Sequence, residues 1–178
     1  RDLREALEDK RKLISLQQEL AIAASMQSSI LPRQFPDLPM LDMIASMVPA
    51  KEVGGDFYDV FEVREGILGV VVADVSDKGM PAAMFMALSR SVIRSVVGQD
   101  DDLSREISKV NQLVWRDSSE GAFITLLITQ FRASNNVIKY VNAGHNPPMV
   151  FHARDKKFEY LSRTAMAAGV EGDTVYQQ

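Results

Sequence analysis

The sequence predicts an α+β domain built from antiparallel sheets and preceded by a long helix. Three observations predict it. Arg1 to Leu31 is charged, free of Gly and Pro, and rich in strong helix formers. Val60 to Val63 and Ile67 to Val72 are apolar, β-branched runs separated by the turn-forming Arg64-Glu65-Gly66. Two helical stretches are then followed by a meander of four or more short strands, an order that fits α+β architecture and not an alternating βαβ plan.

The opening helix carries apolar positions at steps of three and four from Leu13: Leu16, Leu20, Ala23, the polar Gln27 and Ile30. This is a short coiled-coil seam. Leu3 and Leu7 do not keep its register, so the expectation is mixed: an exposed or dimeric early part, with Ala23 to Leu31 docked on the domain. Pro32, Pro36 and Pro39 end the helix and carry the chain away extended. Leu41 to Pro49 alternates as a short strand would, with Asp42, Ile44, Ser46 and Val48 on one face and Met43, Ala45 and Met47 on the other.

A hairpin centred on Glu65 brings Asp56 opposite Asp74 on adjacent strands. Like charges facing each other across a sheet repel, so a shared proton or a divalent cation is needed to offset them. A register slip of one or two residues would instead leave them as separate turn or cap residues. Gly54-Gly55 just before Asp56 allows close approach of backbone to a ligand. Asp59 lies on the opposite strand face and ranks below Asp56 as a ligand.

Asp77 and Lys78 read as a solvated turn, and Pro81 fits the first turn of a helix, Ala82 to Val97, that ends at Gly98. Met84, Phe85 and Met86 read as core. Asp100 to Asp102 lacks the spacing of a calcium loop and reads as a helix N-terminal cluster. The next helix, Leu103 to Trp115, buries Ile107, Val110, Leu113 and Val114. Phe123 to Phe131 and Val137 to Val141 form a hairpin about Ser134-Asn135-Asn136. Asn142 to Pro148 is a tight loop, and Met149 to His152 with Lys157 to Leu161 is a further hairpin.

Composition narrows the chemistry. The chain has no cysteine and two histidines, His145 and His152, which excludes disulfides, thiolate zinc sites and Cys nucleophiles. The net charge of −4 and the lack of a basic stripe argue against nucleic acid as a partner. No apolar run reaches membrane-spanning length, and a reducing cytoplasmic setting is expected, with membrane anchoring of a parent protein left open. Nucleophile elbows, phosphate loops and zinc-helix motifs are absent. His145 reads first as a turn-shaping hydrogen-bonder. A carboxylate-rich, thiol-free, His-poor site selects hard cations such as Mg2+ or Mn2+, which activate water for attack on phosphorus.

Four motifs add to this reading. Glu19 to Pro32 (ELAIAASMQSSILP), Gly54 to Asp59 (GGDFYD), Ala73 to Ala87 (ADVSDKGMPAAMFMA) and Asn142 to Pro148 (NAGHNPP) resemble, in order and spacing, the bacterial SpoIIE/RsbU-like branch of the PPM family of metal-dependent protein serine/threonine phosphatases. The resemblance implies a sandwich of two antiparallel sheets flanked by helices, with two Mn2+ or Mg2+ ions at one end. It implies metal-ligand roles for Asp56, for Asp74 as the bridging acid, and for the backbone carbonyl of Val75. Gly55 and Gly79 match glycines that keep these loops close to the metals. Family members use no protein nucleophile, water being the attacking group, and their typical substrates are phosphorylated STAS-type anti-sigma-factor antagonists. The helix before the domain commonly joins a sensor module and takes part in dimeric regulation.

The chain departs from the family in one respect. A Thr-Asp-Gly motif and a later Asp, both metal ligands in the family, are missing, and Thr164 to Val170 lacks the usual Pro-Leu-Gly turn. Asp173 falls in a variable run and receives no ligand role. The expected organisation is therefore a linker or coiled-coil helix over 1–31 and a phosphatase domain over 32–178 that is incomplete at its C-terminus. A catalytically inactive regulatory or dimerisation module of the same fold is the alternative.

Overall fold

The computed structural model describes residues 3–36, 38, 40–49, 52–118 and 121–178. Its elements are helix α1 (Leu3–Ile30), strands β1 (Phe57–Arg64) and β2 (Ile67–Val75), helices α2 (Met80–Val96) and α3 (Leu103–Asp117), then strands β3 (Ile124–Arg132), β4 (Val137–Ala143), β5 (Met149–His152) and β6 (Lys157–Tyr160). Strands β1 to β4 form one antiparallel sheet in sequence order, and β5 pairs with β6 in a separate antiparallel sheet. The predicted antiparallel α+β class is thus present, with the long helix ahead of it. No described helix is long and apolar enough to cross a membrane.

The register of the first hairpin follows from its pattern. Phe57 pairs with Ala73, and the pairing runs unbroken to Glu62 opposite Leu68. A bulge at Val63 then passes the chain to the Glu65-Gly66 turn, where Gly66 takes a positive φ of 71°. Strand alternation sends Phe57, Val71, Ala73 and Val75 to one face, where they join Ile124, Leu126, Ile128 and Val141. Against this face pack Met86 and Ile93 of α2 and Ile107, Val110 and Val114 of α3. Leu113 is only partly buried at the edge of this core. The other face of the sheet has a smaller cluster, in which Val60, Leu68 and Phe131 are covered by Phe35, Leu38, Leu41 and Met43.

Both helix starts obey local rules. Pro81 occupies the first turn of α2, where a missing N–H costs nothing. Asp102 caps α3, its carboxylate accepting from the backbone N–H groups of Ser104 and Arg105. The second turn of α2 corrects one expectation: Met84 is exposed, whereas Met86 is fully buried and Phe85 partly so. The core stripe passes through Ala82, Met86, Ser89 and Ile93 and leaves Met84 outside it.

Residues 42–49 form no strand. Their side chains alternate as predicted, Met43, Ala45 and Met47 half-buried and Ile44 97% exposed, but no described strand pairs with them. The extended shape is kept without a ladder. Pro39 lies outside the described residues.

Helix α1 divides as its pattern implies. Leu3, Leu7, Leu13 and Leu16 are exposed, and burial begins near Ala23 and reaches Gln27 and Leu31. At the other end of the chain, the run after β6 folds back onto the domain. Ala168 bridges Ile124, and buried Asn111 of α3 accepts from Gly169 N and donates to the carbonyls of Glu171 and Gly172. Tyr176 is buried in the main core, and burial raises its phenol pKa.

Candidate metal centre

Asp56 stands one residue before β1, and Asp74 is next to last in β2. With Phe57 opposite Ala73, these two acids are the next rung of the hairpin. Phe57, Ala73 and Val75 turn into the helix-side core, so Asp56 and Asp74 point out of the opposite face. Their carboxyl groups meet: burial, the hydrogen bond to Asp74 and the Asp74 charge, in that order, raise the Asp56 pKa above 3.8, and the charge of His145 pulls it down. Two adjoining carboxylates repel each other, and a bound cation would offset that repulsion.

The glycines beside the pair have different reasons. A Cβ on Gly55 would lie 2.9 Å from Val75 Cβ and 3.0 Å from the Val75 carbonyl oxygen. Only a residue without a side chain lets the Asp56 loop sit this close to that carbonyl. Gly79 has open space around it but a φ of 76°, which turns the chain from the loop into α2. Val75 is buried and its side chain has no donor atom, so its carbonyl is the one group it could offer a ligand.

Two cavities meet at the acid pair. One, of about 300 Å³, is bounded by Gly55, Asp56, Asp74, Asp77, Lys78 and Gly79. The other, of about 590 Å³, is bounded by Asp56, Asp74, Tyr58, Val72, His145 and Asn146. Asp77 is exposed in its turn, as expected; it holds a positive φ of 76° and also faces the first cavity.

His145 does shape its loop, as expected, but it also faces the acids. Its backbone N–H donates to Asn142 Oδ1 at 2.8 Å, and its carbonyl accepts from Arg163 Nε at 3.2 Å. Its Nδ1 is 2.8 Å from Thr125 Oγ1, which in turn lies 3.4 Å from the Asp74 carbonyl. Thr125 pairs with Asp74 across β2 and β3, so one cross-strand rung ties the imidazole to the second acid. Burial lowers the His145 pKa below 6.5, with Asp56 opposing this and Arg163 adding to it.

Asp59 is separate from this group. It is 1% exposed on the helix side of the sheet, bound to Arg90 and Arg94 of α2. Asp173 lines neither of the two cavities, and Gly172 before it packs on Trp115 of α3. Sequence reasoning missed Thr125, whose only signal was its place in the strand, and the loop-holding Asn142, which the NAGH motif contained.

The donor set suits a hard divalent cation: two adjoining carboxylates, a backbone carbonyl held near them by Gly55, and no thiolate. Among the described residues no three His, Asp or Glu side chains converge as a ready ligand cluster.

The chain is similar to known proteins over most of its length. The family model for Stage II sporulation protein E (SpoIIE) matches residues 64–178. The chain is 29% identical to phosphoserine phosphatase RsbU of Bacillus subtilis over 92% of its own length and 48% of the relative's. It is 31% identical to protein IcfG of Synechocystis over 89% of this chain and 29% of that one. It therefore spans about half or less of these relatives. In fold it resembles the SiaA-PP2C domain of Pseudomonas aeruginosa, with a TM-score of 0.69 at 18% identity, covering 95% of this chain and 66% of the other.

Proposed function

Because the chain belongs to the SpoIIE family, in the SpoIIE/RsbU branch of the PPM phosphatases, we propose that it is the phosphatase domain of a metal-dependent protein phosphatase acting on phosphoserine and phosphothreonine. The observation that carries this reading is the joined pair Asp56 and Asp74 at the mouth of two cavities. Asp56, Asp74 and the Val75 carbonyl would hold two Mn2+ or Mg2+ ions, with Gly55 and Gly79 fixing their loops. Once bound, these ions lower the pKa of water and neutralise charge on the phosphoryl group.

The chain's own residues do the rest. The two carboxylates would bind the cations, and the paired strands β1 and β2 fix where those carboxylates stand. His145, held by Thr125 and Asn142, lines the larger cavity beside both acids. The substrate is proposed to be a phosphorylated STAS-type anti-sigma antagonist, met in the cytoplasm. Residues 1–31 are proposed as a separate linker helix that pairs two copies and joins an upstream sensor, with 32–178 as the phosphatase domain.

The test is hydrolysis of an aryl phosphate by the full-length protein with Mn2+ and with chelator. Chelator-sensitive turnover that disappears in Asp74→Asn is expected. Activity near wild type in that variant overturns the reading. One observation favours the alternative of a catalytically inactive module: no third acid among the described residues joins Asp56 and Asp74. Absence of both Mn2+ binding and turnover would select it.

A further inference from the structure

We propose that Gln27 is a positioning residue for the loop that carries Asp56, gripping that loop from the end of α1; this rests on the metal-site reading above. Gln27 is 7% exposed, while its neighbour Met26 is 65% exposed. Its side-chain amide is bonded at both ends to one backbone residue. Nε2 donates to the Gly54 carbonyl at 2.5 Å, and the Gly54 N–H donates to Oε1 at 3.1 Å. The amide thereby satisfies both polar groups of Gly54, as a neighbouring strand would.

The grip is placed where the backbone is softest. Gly54 and Gly55 are consecutive, and glycine has the widest conformational freedom of any residue. On its other side, Gly55 lies against Val75 and Ala82. The loop is thus held between the α1 amide and the β2–α2 junction, and Asp56 is two residues from the grip. A carboxylate ligand needs placement to within a fraction of an ångström, which a free Gly-Gly pair does not provide. An apolar residue at position 27 would fill the same space and leave both Gly54 groups unpaired.

The experiment is calorimetric titration of Mn2+ into the metal-free full-length protein, with Gly54 amide exchange and the melting temperature read in parallel. Gln27→Met is expected to weaken Mn2+ binding by about tenfold, the effect typical of groups that orient a metal ligand, and to speed Gly54 exchange. Met26→Ala, on the exposed face, is expected to change neither. If Gln27→Met is too unstable to measure, Gln27→Glu keeps the size and the acceptor but loses the donor, and weaker Mn2+ binding is again expected. Faster Gly54 exchange with unchanged Mn2+ affinity makes the contact structural only and overturns the proposal, as does unchanged exchange. Failure of the underlying reading is seen separately: if Asp74→Asn binds Mn2+ like wild type, the acids are not the metal site and Gln27 has no such loop to position.

Discussion

Asp59 receives Nε and Nη2 of Arg94 at 2.6 and 2.8 Å, and Arg90 as well, three residues from Asp56 but on the other face of the sheet. The pairing makes Asp59 an anchor between β1 and α2. Arg94 further lies 4.8 Å from the centre of the Phe61 ring. Removing one partner of a buried ion pair leaves the other uncompensated, so Asp59→Ala should lose about 3 kcal/mol in urea unfolding. Mn2+ affinity of the folded fraction should not change. A parallel loss of Mn2+ affinity would show that Asp59 is a ligand after all.

Asp56 and Asp74 should behave in the opposite way. Without metal their charges repel, so either Asp56→Asn or Asp74→Asn should stabilise the chelated protein by about 0.2–1 kcal/mol, the range for facing like charges in a sheet. Adding Mn2+ should raise the melting temperature of wild type and leave both variants where they were. Scanning calorimetry with and without chelator checks both halves.

The two glycines of the loop should separate cleanly. Gly54→Ala places its Cβ in open space, and its effect should stay within about 0.5 kcal/mol. Gly55→Ala drives a Cβ against the Val75 carbonyl and should cost about 1–3 kcal/mol, as other overpacked sites do. It should also weaken Mn2+ binding. Equal effects of the two substitutions would remove the steric account of Gly55.

His145 gives a pH dependence. Its folded pKa is lowered, chiefly by burial, so as pH falls below 6.5 the unfolded chain takes up a proton before the folded one does. Stability of the metal-free protein should therefore decline as pH drops through that window, and His145→Gln should flatten the decline. An NMR titration of the His145 ring in chelator should place its midpoint below 6.5. A midpoint at or above 6.5 would contradict the burial argument.

The exposed leucines of α1 predict self-association. Leu13 and Leu16 are 61% and 54% exposed on one helical stripe. Light scattering of the protein should show a dimer that Leu13→Ser with Leu16→Ser converts to monomer. A monomer at all concentrations in the unmutated protein would count against pairing through this helix.

The sequence by itself determined the first hairpin, because alternation and a Glu-Gly turn fix a register locally and a slip would turn Phe57 and Val71 out of the core. It marked the helix starts at Pro81 and Asp102 from their first-turn chemistry, while the adjacency of Asp56 and Asp74, open to a register slip in the sequence, was fixed by the observed pairing. Tertiary structure alone decided what stands next to a polar group. Gln27 reads as the polar member of a coiled-coil seam and is buried against Gly54, 27 residues away. His145 reads as a loop residue, and the β2–β3–β4 order brings it to Thr125 and the acids. Residues 42–49 keep a strand's alternation but form no strand, since alternation is a property of the segment and a ladder needs a second one beside it. Local periodicity depends on neighbours in the chain, whereas the partner of a buried amide, a carboxylate or a strand edge is chosen by packing among residues that only the fold brings together.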